Sequence, residues 1–93
     1  MTKIKIISTP PGFAPEEIRE QWLNVEIPLA QNPIPKGKEV ARIGNDNAGG
    51  YQVKGSDAVQ ALRDAGKDQA ADFWQAYASG NFKFKKEVCE LIK

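Results

Sequence analysis

Aromatic and cationic side chains alternate in the segment Phe82-Lys83-Phe84-Lys85-Lys86. Rings that stack on bases, next to cations that contact phosphates, are typical of surfaces that bind single-stranded nucleic acid. In an extended chain, however, both phenylalanines point to one face and can enter a core while the lysines stay in solvent. The segment therefore has two interpretations, a nucleic-acid or phosphate-ligand surface and a half-buried strand, and we favour the strand.

A second aromatic group comprises Trp22, Phe73, Trp74 and Tyr77. Core packing explains most of these rings, but the adjacent Phe73 and Trp74 cover a wide arc of a helix, so one of them is expected at the rim of the buried face. An exposed aromatic ring would mark an interaction surface. The candidate interaction surface that follows from both groups is Trp74, Tyr77, Phe82, Lys83, Phe84, Lys85 and Lys86.

A glycine-rich loop, Gly44 to Gly50, contains Asp46 between two asparagines. Such a loop could hold a phosphate with its backbone amides or offer oxygens to calcium. It lacks the Lys-Ser/Thr ending of a P-loop and the spaced acids of an EF-hand. We therefore predict a mobile hairpin tip with no specific ion or phosphate site.

Residues for acid–base and nucleophilic catalysis are sparse. The chain has no histidine and one cysteine, which removes zinc sites built on histidine and histidine-based triads. Glu16, Glu17 and Glu20 are best explained as stabilising a helix start. Cys89 is best explained as a small buried hydrophobe. We expect no catalytic, cofactor or metal site, and we expect that the chain is not an enzyme.

The composition is that of an ordinary folded domain. The 93 residues are 41% hydrophobic and 27% charged, which predicts a single domain over residues 1–93. A net charge of +1 gives no overall attraction to nucleic acid or to an anionic membrane. The single cysteine excludes an internal disulfide, and residues 1–9 contain no apolar signal-peptide core, so a cytoplasmic location away from membranes is expected.

The first half of the chain has mainly strand patterns. Ile4 and Ile6 alternate with lysines, and residues 23–29 alternate apolar with polar side chains. A short helix is predicted over residues 15–22 between these strands. An exposed loop is expected around residues 31–38, and residues 40–43 and 51–53 are predicted to pair as a hairpin with a long tip.

The second half has helical spacing. Helices are predicted from Asp57 to Ala65 and from Asp68 to Ala78, packed as an αα-hairpin around a left-handed Gly66. A last short helix is predicted over residues 85–92. The fold class is α+β: a small curved antiparallel sheet or partial barrel of about four to five short strands, mostly in the first half, capped by about three to four short helices, mostly in the second half.

Two function hypotheses remain. The first is a small non-enzymatic interaction domain that binds a protein partner or a second copy of itself. The alternative is a weak nucleic-acid or phosphate-ligand binding module that uses residues 82–86. The exposure of the aromatic rings discriminates between them.

Overall fold

The computed structural model describes residues 2–31, 40–43 and 50–92, and within these residues the chain has an α+β fold. Two short 3₁₀ turns accompany the regular elements, at Glu20–Trp22 and Lys86–Val88. The strands and helices are β1 (Lys3–Ile6), α1 (Glu16–Arg19), β2 (Glu26–Pro28), β3 (Val40–Ile43), β4 (Tyr51–Lys54), α2 (Gly55–Asp64), α3 (Asp68–Gln75), β5 (Asn81–Phe84) and β6 (Cys89–Ile92). The predicted fold class is confirmed at this level.

The first sheet has the antiparallel order β2-β1-β6. Its central strand β1 buries Ile4 and Ile6 and leaves Lys3 and Lys5 half-exposed, as their alternation predicts. The helix predicted over residues 85–92 is wrong, because the chain makes only one 3₁₀ turn there and then pairs with β1 from Cys89 onward. The edge of β1 that does not pair with β2 offers backbone hydrogen-bond partners to residues 89–92. The local helical spacing of those residues does not reveal these partners.

The second sheet has the order β3-β5-β4, with β5 antiparallel to β4 and parallel to β3. The predicted hairpin between residues 40–43 and 51–53 is therefore wrong, since β5 lies between the two strands. The single curved antiparallel sheet is replaced by two sheets, and the strands are not concentrated in the first half. Strands β5 and β6, from the second half of the chain, complete these sheets. Hydrophobic periodicity could not predict this arrangement, because it does not identify which strands pair.

The strand predicted over residues 23–29 is shorter in the structure. Val25 and Ile27 are buried and Glu26 is exposed, which matches the predicted alternation. Asn24 has a φ of 67°, in the left-handed region, which asparagine tolerates. Residues of a β-strand have negative φ, so Asn24 cannot belong to the strand. The strand therefore begins only at Glu26, after the turn that follows α1.

Helices α2 and α3 pack against each other, as predicted, on either side of Gly66, whose φ is 79°. Helix α2 begins at Gly55 rather than at the predicted Asp57, and no side chain caps it. Its first N–H donates instead to the carbonyl of Gly80 at 2.8 Å, so a tertiary contact takes the place of a side-chain cap. On the surface, Arg63 and Asp72 link the two helices through an ion pair at 3.0 Å. Among the described residues, none of the helices has the length and the apolar character that a membrane span requires.

The start of α2 gives a test of the packing. A Cβ at Gly55 would lie 2.6 Å from the carbonyl oxygen of Gly80 and 2.7 Å from that of Ala78, whereas a Cβ at Gly66 would meet nothing within 4 Å. We expect Gly55→Ala to lower the free energy of unfolding by at least about 2 kcal/mol through overpacking, and Gly66→Ala by about 1 kcal/mol through its left-handed backbone alone. Urea denaturation measures both variants. Equal costs would mean that α2 does not start in close contact with residues 78–80.

Aromatic side chains form the centre of the core. Trp22 is fully buried, and its ring centroid lies 5.0 Å from Phe84, 5.9 Å from Trp74 and 6.4 Å from Phe82. Ile18, one helical turn before Trp22, is also buried in this core. The core thus joins the 3₁₀ turn after α1 to helix α3 and to the central strand of the second sheet.

Candidate interaction surface

Phe13 has the most exposed ring among the described large hydrophobic residues, with 66% of its surface accessible. Its ring centroid lies 6.2 Å from Phe73 and 5.8 Å from Tyr77, and those two rings are 6.3 Å apart. Tyr77 is 42% exposed and Phe73 is half-buried. We call Phe13, Phe73 and Tyr77 the aromatic triad. They form a compact group of rings at the surface, where the loop of Phe13 meets the C-terminal end of α3 and the turn that follows it.

The loop that holds Phe13 is fixed on both sides by Arg19. The guanidinium Nε donates to the carbonyl of Ala14 at 2.8 Å, and Nη1 donates to the carbonyl of Pro10 at 3.2 Å. Pro10 and Ala14 are themselves buried, and between them Gly12 has a φ of 154°, which few side chains adopt. Phe13 is therefore presented to solvent by an anchored loop.

Trp74 lies beneath the triad and is 2% exposed. Its centroid is 5.7 Å from Phe13, 5.0 Å from Phe73 and 5.6 Å from Tyr77, and its ring meets Phe13 edge to face at 70°. The same indole also contacts Trp22 in the core. The triad is thus the solvent-facing end of a continuous aromatic cluster, and a ligand on the triad would change the surroundings of Trp74.

Both charged and neutral side chains lie near the triad in the sequence, since Glu16 and Glu17 are exposed three and four residues after Phe13 and Gln69 and Asp72 belong to α3. Gln69, one helical turn before Phe73, accepts a hydrogen bond from the amide of Gln21 at 3.1 Å. The neighbouring Asp72 is paired with Arg63. Within the described part of the chain, the Tyr77 hydroxyl makes no hydrogen bond and remains a potential donor. The surface thus combines apolar rings with one hydroxyl that can donate a hydrogen bond.

The residues of the predicted interaction surface occupy different environments. Trp74, Phe82 and Phe84 are buried, so their rings do not face a partner directly. Lys83 and Lys85 are half-buried, and Lys86 is exposed, with its Nζ 5.7 Å above the ring of Tyr51. Tyr77 is the ring of that predicted set that the structure exposes. The strand interpretation of residues 82–84 is confirmed.

Sequence reasoning missed Phe13. The residue lies in a loop, where no periodicity distinguishes a buried ring from an exposed one. The available signal is its setting, since Pro10, Pro11 and Gly12 precede it and Pro15 follows it. A large aromatic side chain within a stiff, proline-bounded loop is a candidate for fixed exposure.

The structure also describes the remaining nucleophile candidate, the thiol of Cys89. Cys89 is buried as predicted; its Sγ donates to the carbonyl of Lys85 at 3.2 Å, and burial raises the pKa of the thiol to about 11. The thiol therefore stays protonated and weakly nucleophilic at neutral pH. No group of three or more His, Cys, Asp or Glu side chains in the described ranges could hold a metal ion.

Most of the predicted glycine-rich loop, residues 44–49, lies outside the described residues, as does most of the loop predicted at 31–38. Gly50 is described, with a φ of 137°, next to the backbone of Phe84. Whether this loop binds an ion or a phosphate stays a prediction.

Comparison of the chain with protein-family models, with curated protein sequences and with solved structures found no match in any of the three. A function for the chain must therefore be inferred from its surface.

Proposed function

We propose that this chain is a small non-enzymatic interaction domain that binds a protein partner through the aromatic triad. The observation that supports this proposal is the ring of Phe13, 66% exposed and held against α3 by an anchored loop. Binding surfaces are enriched in aromatic side chains, and a ring that is already ordered loses little conformational entropy when a partner covers it.

The exposed ring is large enough to matter for binding. A Phe side chain buries roughly 150–250 Å² in a core, so an exposure of 66% leaves roughly 100–165 Å² of Phe13 in water. Covering that area is worth about 2.5–4 kcal/mol before the costs of association are subtracted. Values of this size are typical of the few residues that dominate an interface.

The alternative, a nucleic-acid or phosphate-ligand surface on residues 82–86, has less support. It needs rings that stack on bases, and the rings of Phe82 and Phe84 are buried. Lysines alone would leave a sequence-independent electrostatic contact on a chain whose net charge is only +1.

Site-specific photo-crosslinking tests the proposal. Phe13 is replaced by the aromatic photoreactive residue p-benzoylphenylalanine, and Gln60, exposed on α2, receives the same residue as a matched control. In extract from the source cells, we expect a discrete protein adduct from position 13 and none from position 60. Unlabelled wild-type chain should suppress the adduct at a concentration at least about tenfold lower than Phe13→Ala does.

The competition decides the outcome. Phe13→Ala removes ring contacts with Phe73, Trp74 and Tyr77. It should still remain folded, because the usual cost of a destabilising substitution, about 0.5–3 kcal/mol, is smaller than the roughly 5–15 kcal/mol that stabilises a domain. If this variant, shown to be folded by circular dichroism, competes as well as the wild-type chain, the triad is not the binding surface.

A further inference from the structure

We infer that the outer edge of β6 binds an extended segment of a partner protein in which an apolar residue is followed by lysine or arginine. This surface uses none of the residues of the aromatic triad, so the inference goes beyond the proposed function. It follows from the open edge of the first sheet and from the side chains that are aligned across that sheet.

The backbone of β6 has hydrogen-bonding groups on its outer side. The N–H of Ile7 donates to the carbonyl of Val88 at 2.7 Å, which places these two residues at a hydrogen-bonded position of the antiparallel ladder. Such positions alternate, so Glu90 and Ile92 also bond to β1, and the N–H and C=O of Leu91 point away from it. Among the described residues, neither group of Leu91 has a hydrogen-bond partner.

The opposite edge of this sheet is already covered. The N–H of Ala30, just after β2, donates to the carbonyl of Gln52 on β4 at 2.9 Å, and helix α2 packs against β2. Pro28 in β2 has no N–H to offer. Strand β6, by contrast, contains no proline, lysine or bulge, features that commonly protect an edge. An added strand is therefore expected to pair with β6.

Charges alternate in sign across the solvent-exposed face of the sheet. Glu26 on β2 lies opposite Lys5 on β1, and Lys5 lies opposite Glu90 on β6. Both glutamates are exposed, and Glu90 forms no ion pair with another described residue. Opposite charges stabilise a cross-strand pair and like charges destabilise it, so the complementary neighbour on the outer side of Glu90 is a cation.

The row of side chains on the core-facing side is apolar. Ile27, Ile4 and Leu91 lie side by side on β2, β1 and β6. The two isoleucines are fully buried, whereas Leu91, at the edge, is 42% exposed. An apolar residue opposite Leu91 would cover more of its side chain. In an antiparallel added strand the next residue lies opposite Glu90, so the required order is apolar and then basic.

A second copy of β6 does not supply this order. Antiparallel pairing of two β6 strands that keeps their core-facing sides together places Glu90 opposite the other Glu90, Ile92 or Val88, and none of these is a cation. Strand β1, by contrast, has Ile4 followed by Lys5, and it pairs in this order with the inner side of β6. Main-chain hydrogen bonds and alternate side chains are the usual means by which a sheet edge recognises an added strand.

Peptide titrations test the inference. The acetylated peptide TKIKII, which repeats residues 2–7, is compared with TEIEII, in which glutamate replaces both lysines. With TKIKII we expect saturable changes in the NMR shifts of the Glu90 and Leu91 amides. TEIEII should bind about two- to thirtyfold more weakly, because a repulsive cross-strand pair replaces an attractive one. Glu90→Lys should reverse the preference between the two peptides.

Backbone chemistry locates the site. Methylation of the Leu91 amide nitrogen, introduced by chemical synthesis of the chain, removes a donor that points away from β1. It should weaken the binding of TKIKII at least about fivefold, and circular dichroism checks that the methylated chain is folded. Phe13→Ala, which changes the aromatic triad, should leave this binding unchanged, so failure of this inference and failure of the proposed function are separate results.

Several outcomes would overturn the inference. They are the absence of saturable binding, equal binding of the two peptides, and binding of TKIKII that does not change when the folded chain is methylated at Leu91. Shift changes concentrated in β2 would mean that the peptide had replaced β1 instead of adding to β6. A dimer that is seen by analytical ultracentrifugation and lost on methylation would make a second copy the occupant of this edge.

Discussion

Replacing Phe82 or Phe84 with Ala is expected to lower the free energy of unfolding by about 3–5 kcal/mol, the usual cost of removing a buried phenylalanine ring. Both side chains are fully buried on β5, the central strand of its sheet, and both contact Trp22. Lys83→Ala, which changes the residue between them, should cost no more than about 0.5 kcal/mol. Urea denaturation of the three variants measures this contrast.

The size of the effect makes it decisive. A domain of this length is stable by only about 5–15 kcal/mol in total, so either Phe variant should lose a large share of that stability. The opposite pattern, in which the Phe variants keep their stability and Lys83→Ala loses it, would mean that β5 buries its other face. Phe variants that stay fully stable but lose affinity for an oligonucleotide would support the alternative function.

Elements with a clear local pattern could be predicted from the sequence. The alternation of lysine and isoleucine predicted β1 correctly, because one face of that strand is buried and the other is not. Phe82 and Phe84 gave β5 for the same reason. The helical spacing on either side of Gly66 gave α2 and α3, since a left-handed glycine ends a helix independently of tertiary context.

The strand pairings could not be predicted in this way. Residues 85–92 have apolar side chains at helical spacing, yet Cys89 to Ile92 form a strand. They do so because the side of β1 that does not pair with β2, far away in sequence, supplies their backbone hydrogen-bond partners. Short apolar runs fit a helix and a strand equally well until the pairing partner is known. The parallel pairing of β3 with β5 is another non-local choice that replaced the predicted hairpin.

The candidate site was only partly predictable. The adjacent helical positions of Phe73 and Trp74 predicted that one of these rings lies at the rim of the buried face, and Phe73 is half-buried whereas Trp74 is buried. Phe13 completes the triad through hydrogen bonds from Arg19 to two carbonyls of its loop. Contacts between a side chain and a distant backbone leave no periodic signal in a sequence.

The second large effect is expected at Trp22. This side chain is fully buried, and Trp22→Ala should lower the free energy of unfolding by about 3–5 kcal/mol. Its indole Nε1 is buried without a hydrogen-bond partner among the described residues, and its ring neighbours Trp74, Phe82 and Phe84 offer no full acceptor. An unpaired buried donor itself costs about 1–3 kcal/mol.

Trp22→Phe isolates that cost. It keeps most of the apolar contact and removes the unpaired N–H, so the loss of volume and the removal of the donor act in opposite directions and the net destabilisation should stay below about 2 kcal/mol. Thermal or urea unfolding of the two variants gives the comparison. If Trp22→Phe is as damaging as Trp22→Ala, the indole N–H has a partner that contributes to stability, such as an internal water. If the expected order holds, Trp22→Phe leaves Trp74 as the only tryptophan of the chain, and its emission then reports on the aromatic triad alone.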